Sequence, residues 1–297
     1  MKTLALAALL FAAPSFAALK IVSTTQDPAA IARAIGGDRV EVKALAKGFQ
    51  DPHFLDPKPT YMVDLNRASL LLVVGLDMEA GYLQSLISGA HNDSIVVGAP
   101  GFLDLSTFIT PLEKVAAADR SQGDVHPNGN PHYWLDPENG RLMARGIAAR
   151  LTQLDPEGKA TFEKNLAAFE KRLTEKEAEW DKTMAPFAKQ GVITYHRSWT
   201  YFAKRYQLDV LAFVEPKPGI PPTPMHTLEV IKLALAKDVK LVLMENFYDV
   251  RPARLIESKS KAKVAVVPNS VGGVDEAKDY FGLFDVIIGT IVKVTAP

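Results

Sequence analysis

The 297-residue chain contains no cysteine. That excludes disulfides and thiolate metal sites, so any metal chemistry must be built from His, Asp, Glu or carbonyl groups. The chain also lacks a charge excess, since 34 Lys and Arg balance 34 Asp and Glu. Without a positive surplus nothing draws it to phosphate backbones or anionic lipid, and nucleic acid is not an expected partner. No apolar run reaches the roughly 20 residues that span a bilayer. Low-complexity tracts and long internal repeats are missing as well, and a 47% hydrophobic fraction marks an ordered globular protein.

The first stretch, MKTLALAALLFAAPSFA, has a basic start at Lys2, an apolar run from Leu4 to Ala13 and small residues around Ala17. It reads as a secretory leader over residues 1–17, cut after Ala17. No cysteine follows it, so a lipid anchor on an N-terminal Cys is not expected and the mature chain should be soluble.

Beyond the leader, short apolar runs alternate with helical patterns. Strands are expected at LKIVSTT from Leu19, VEVKAL from Val40, SLLLVVG from Ser69 and SIVVGAP from Ser94. Asp27-Pro28 opens a helix that carries Ile31 and Ile35 on one face and stops at Gly36-Gly37. The pattern then changes. Asp155 and Pro156 form a cap and first turn, and Phe162, Leu166, Phe169, Leu173, Trp180 and Met184 recur at helical spacing until Pro186. Roughly 30 residues at 1.5 Å each make a helix long enough to bridge two domains. Strands resume at GVITY, DVLAFVE, VKLVLME and KVAVVP, with helices between them and a last helix over about Asp275 to Val294. The expected fold class is α/β: two parallel-sheet α/β lobes bridged by one long rigid helix. The boundaries are a lobe over 18–154, a linking helix over 155–189 and a second lobe over 190–297.

The chemistry lies in the histidines. GFQDPHFLDPKP frames His53 with two Asp-Pro pairs, and GNPHYWLDP repeats the pattern around His132. Proline ahead of each ring limits backbone freedom and lowers the entropy cost of holding an imidazole for a cation. His196 follows the GVITY strand directly, where open α/β sheets place ligands. Glu215 and Glu245 each end an apolar strand; a carboxylate there either faces the cleft or caps the next turn. Asp56 and Asp136 are either hydrogen-bond acceptors for the rings or turn formers. His91 has only turn context, His126 in its Gly/Asn/Pro loop either gathers metal or, as expected, faces solvent, and His226 has a surface or hydrogen-bonding role in the first turn of a helix. Neutral imidazoles with one carboxylate suit Zn(II).

In that order, DPHFLDPKP, NPHYWLDP, YHRSWTYFAKRY, VEPKPGIPPTP and the long central helix resemble the zinc and manganese substrate-binding proteins of bacterial ABC transporters, the ZnuA/TroA-like group. The likeness covers the whole mature chain. It implies a monomeric periplasmic protein, not an enzyme, that holds Zn(II) as transported ligand between its lobes and delivers it to an ABC permease in the inner membrane. His53, His132 and His196 match the family's histidine ligands, and glutamate at the third would instead favour Mn(II). The family's aspartate after the last strand is replaced by Asn269, which leaves Glu245, a water or nothing from the protein as fourth ligand. Many zinc members carry a histidine-rich loop before the second ligand; here that loop has His126 alone. The alternatives are a manganese- or iron-specific binding protein of the same fold, or a zinc hydrolase, against which stands the lack of an H-E-x-x-H motif.

Overall fold

The computed structural model describes residues 18–115, 123 and 126–296; the expected leader lies outside them. Among these residues the strands are β1 (Leu19–Ser23), β2 (Val40–Ala44), β3 (Leu70–Val73), β4 (Phe102–Asp104), β5 (Gly191–Thr194), β6 (Asp209–Phe213), β7 (Leu241–Glu245) and β8 (Lys263–Val267). The helices are α1 (Gln26–Gly36), α2 (Pro59–Asn66), α3 (Leu83–Ala90), α4 (Pro137–Leu154), α5 (Lys159–Met184), α6 (Thr200–Arg205), α7 (Pro224–Ala236), α8 (Arg251–Lys259) and α9 (Tyr280–Thr295). Two parallel four-stranded sheets result, ordered β2-β1-β3-β4 and β6-β5-β7-β8. In both, the direction of strand succession reverses at the first strand, and the crevice beyond that reversal is where such sheets bind ligands.

Side-chain alternation shows how each sheet is covered. Leu70 and Leu72 of β3 face one apolar layer while Leu71 and Val73 face another. In β7, Leu241 and Leu243 join the same layer as Leu70, and Val242 and Met244 face α7 and α8. Helix α5 joins the two halves. Its 26 residues extend about 39 Å. Phe162, Phe169, Leu173, Trp180 and Met184 are buried along one stripe, and the core they belong to runs from Ile21 and Ile31 of the first lobe to Phe284 and Ile287 of the second. The buried end of Glu177 pairs with Arg141 of α4. Trp180 Nε1 donates to Asp285 Oδ1 of α9 at 2.8 Å.

Two sequence expectations need correction. SIVVGAP from Ser94 is not a strand: Asp93–Ile95 form a 3-10 turn and the fourth strand is Phe102–Asp104. Gly98 takes a left-handed φ of 87° and Val97 is exposed, so the run buries Ile95 and then turns away. The last helix starts at Tyr280, where the Asp279 side chain accepts from Gly282 N, rather than near Asp275. The long helix starts at Lys159, behind a 3-10 turn at Pro156–Gly158 that Asp155 caps, and gives way after Met184 to a 3-10 turn at Ala185–Phe187, inside the expected 155–189.

Polar contacts also tie the lobes. Asp27, fully buried at the start of α1, accepts from Ser270 Oγ at 2.6 Å and from Val271 N at 2.9 Å across the interface. Trp134 Nε1 donates to the Asn269 carbonyl at 2.7 Å. Gly48 lies so close to the backbone of Val271 to Gly273 that a Cβ would overlap it. Burial pushes the Asp27 carboxyl up to about 7, against hydrogen bonds that favour its ionised form. A carboxyl whose folded pKa exceeds its unfolded value contributes stability that fades as pH rises toward the folded pKa. Asp27→Ala should therefore cost about 1–3 kcal/mol by orphaning Ser270 and Val271. Asp27→Asn should gain on wild type as pH rises from about 4 to 7. Urea unfolding across that range checks both, and parallel pH profiles for wild type and Asp27→Asn would contradict the assignment.

Candidate metal centre

The residues singled out in the sequence arrive from four places. His53 sits in the proline-rich loop after β2, and His132 just ahead of α4. His196 follows β5, and Glu245 is the last residue of β7. Because β5 and β7 are hydrogen-bonded neighbours, His196 and Glu245 stand at the strand-order reversal of the second sheet. Ring centroids lie 5.1 Å apart for His53 and His132, 5.5 Å for His53 and His196, and 5.3 Å for His132 and His196. One ring nitrogen from each of the three lies within 4.8 Å of the other two.

Each ring is oriented by an acceptor on its Nδ1. Asp51 Oδ1 takes a hydrogen bond from the backbone N of His53 at 3.0 Å and lies 2.7 Å from His53 Nδ1. Asn130 Oδ1 does the same for His132, at 3.0 Å to both nitrogens. In both motifs an Asx residue reaches over the intervening proline to grip the histidine two positions on. His196 Nδ1 lies 2.8 Å from Glu215 Oε2, which also accepts from Gly219 N. An acceptor at Nδ1 keeps the proton there and leaves Nε2 with its lone pair, the state a metal needs. Asn130 further donates to the Arg197 carbonyl at 2.8 Å, so the amide that orients His132 also reaches the opposite lobe.

The acceptors are not those suggested by the LDP repeats. Asp136 caps α4 by accepting from Glu138 N, and Asp56 is exposed. The informative signal was Asx-Pro-His itself, since Asx side chains hydrogen-bond the backbone two residues on. His226 makes the hydrogen bonds expected of its helix turn, including one from its N to Thr223 Oγ1. His91 caps α3 with a left-handed φ of 50°. His126 differs from expectation: it is half-buried, with Nε2 at 3.2 Å from His53 Nε2.

Burial sets the electrostatics. His132 is 1% exposed with Nε2 unpartnered, and desolvation holds its pKa well below 6.5. Asp51 is held below the usual carboxylate range, because the His53 hydrogen bonds outweigh a desolvation that works the other way. Glu245 is fully buried and neither oxygen meets a hydrogen-bond partner. Desolvation pushes it up to about 7, opposed by the nearby His196 ring and Ser198 hydroxyl. Its oxygens fall outside the mutually close set formed by the three rings among the described residues. Asn269 is 1% exposed with both side-chain polar atoms unpartnered, and its carbonyl is engaged by Trp134. A cavity of about 320 Å³, bordered by His126, His132, His196, Glu113, Arg197 and Lys217, adjoins the cluster.

A two-lobed α/β frame with imidazoles converging from both lobes defines a protein that captures a small ligand between them. The sequence model of the family described as "Zinc-uptake complex component A periplasmic" matches residues 21–294, and the chain belongs to that family. The metal ABC transporter substrate-binding lipoprotein SsaB of Streptococcus sanguinis is 26% identical over 251 residues, covering 83% of this chain and 78% of that protein. The manganese ABC transporter substrate-binding lipoprotein PsaA of Streptococcus pneumoniae is 26% identical over 254 residues, with the same coverage. A crystal structure of ZnuA superposes with a TM-score of 0.79 at 26% identity, covering 94% of this chain and 100% of that one.

The metal-free protein should keep His132 neutral, protonated on Nδ1, at pH 6. Nitrogen-15 shifts of the imidazoles test this directly, and a charged His132 ring at pH 6 would contradict the burial argument.

Proposed function

We propose that the protein binds Zn(II) between its lobes outside the cytoplasmic membrane and delivers it to an ABC permease. The observation that carries this reading is the convergence of three imidazoles, each with an acceptor on Nδ1. His53, His132 and His196 are the proposed ligands through Nε2. Glu245 is the proposed source of buried negative charge beside His196, and its unpartnered oxygens make it the carboxylate candidate for the same cation. Glu215 and Asp51 add charge compensation through the rings they orient.

A nitrogen-rich set favours zinc over manganese, which prefers oxygen donors. Membership of a binding-protein family supports a carrier rather than a hydrolase, and the family's description supports the periplasm as its compartment. The lobes share one core along α5, so capture and release fit small loop movements better than wide closure, with the permease disturbing the ligands of one lobe.

Zinc content by mass spectrometry of protein purified from the periplasm should be one per chain for wild type and sharply reduced in His53→Ala, His132→Ala and His196→Ala. Glu215→Gln should weaken zinc binding by about 10–100-fold. Because the ligand nitrogens must be free of protons, binding should weaken as the solution is acidified, and burial, which holds His132 well below 6.5, keeps that ring neutral at pH 6. Full zinc in all three alanine variants would overturn the site, and tighter Mn(II) than Zn(II) binding would overturn the metal.

A further inference from the structure

We propose that His126 supplies a fourth imidazole nitrogen to the cation, so that the loop ahead of α4 closes the site with a ligand of its own. The inference rests on the three-histidine reading above. Its geometric basis is the 3.2 Å between Nε2 of His126 and Nε2 of His53. Two nitrogens at 2.0–2.1 Å from a tetrahedral zinc are separated by about 3.3 Å, so the pair already stands at ligand spacing.

The protons argue the same way. His53 Nδ1 is committed to Asp51 Oδ1, which leaves lone-pair density on the Nε2 that faces His126. At 3.2 Å the two facing nitrogens have room for one proton between them, and a cation held by both lone pairs would take that proton's place.

The chain just after His126 is tied to the first lobe. Leu76 and Asp77 adopt left-handed φ angles of 52° and 66°, in a turn where Glu79 accepts from Val74 N at 2.7 Å and Gly75 N at 3.0 Å. Two residues beyond His126, Asn128 Nδ2 donates to Asp77 Oδ2 at 3.0 Å, and Gly129 N bonds the His126 carbonyl at 3.1 Å. The ring borders the same cavity as His132 and His196. Among the described residues neither Glu245 nor His126 belongs to the mutually close set of His53, His132 and His196, so His126 would close on the cation by a small approach to the other two rings from its present spacing to His53.

X-ray absorption of the full chain loaded with Zn(II) alone, and visible spectra with Co(II) alone, test the proposal in wild type, His126→Ala, His126→Gln and His132→Ala. The expected first shell is four imidazoles in wild type and three with one oxygen in both His126 variants, which should bind zinc at least about tenfold more weakly. Thermal melts of the metal-free variants separate ligand loss from misfolding. If wild type and both His126 variants share one first shell and one affinity while His132→Ala loses metal, the His53–His126 contact is a hydrogen bond only and this inference fails. If His132→Ala also keeps the wild-type spectrum, the three-histidine site fails with it.

Discussion

A site assembled from two lobes works only if the lobes keep their relative position to about half an ångström. Here one apolar core sets that position. It starts at the first sheet, follows Phe162, Phe169, Leu173, Trp180 and Met184 down α5, and ends under α9 against the second sheet. Close-packed interiors transmit displacement rather than absorb it, so the loops carrying His53, His132 and His196 inherit the rigidity of the core below them. The Asp27 bonds to Ser270 and Val271 and the Trp134 bond to Asn269 add directional contacts near the cleft.

On that frame the cluster solves a problem of protonation. Imidazoles crowded 5.1 to 5.5 Å apart in a dry cleft cannot all be charged. Asp51, Asn130 and Glu215 hold the protons on the far side of each ring, and only the near nitrogens face inward. Two of those acceptors are carboxylates and one is an amide. For the proposed divalent ion, the balancing negative charge is thus already distributed behind the three rings.

Much of this was legible in the sequence, for physical reasons. Inner parallel strands buried on both faces read as short continuous apolar runs, the edge strand VEVKA alternates, and a long helix buried along one stripe repeats every three or four residues, so seven of the eight strands among the described residues and α5 were visible. SIVVGAP misled because a buried isoleucine beside two valines has strand composition, while the turn at Gly98 decides the backbone. His53 and His132 were legible through their prolines, and His196 through its place just after a strand. Their acceptors were not, because Asp51 and Asn130 act through a two-residue turn that the more conspicuous LDP repeats obscured. Glu215 was visible as a strand-end carboxylate, but its contact with His196 spans 19 residues and exists only in the fold. The burial of His126 was hidden for the same reason, since its partner is 73 residues away.

The most direct test of the central claim is anomalous diffraction at the zinc absorption edge from crystals of the protein loaded with one equivalent of Zn(II). The account predicts a single strong peak bonded to Nε2 of His53, His132 and His196, with Nδ1 of each still against Asp51, Asn130 and Glu215. A peak elsewhere on the molecule, or one that touches histidines of a single lobe, would contradict it.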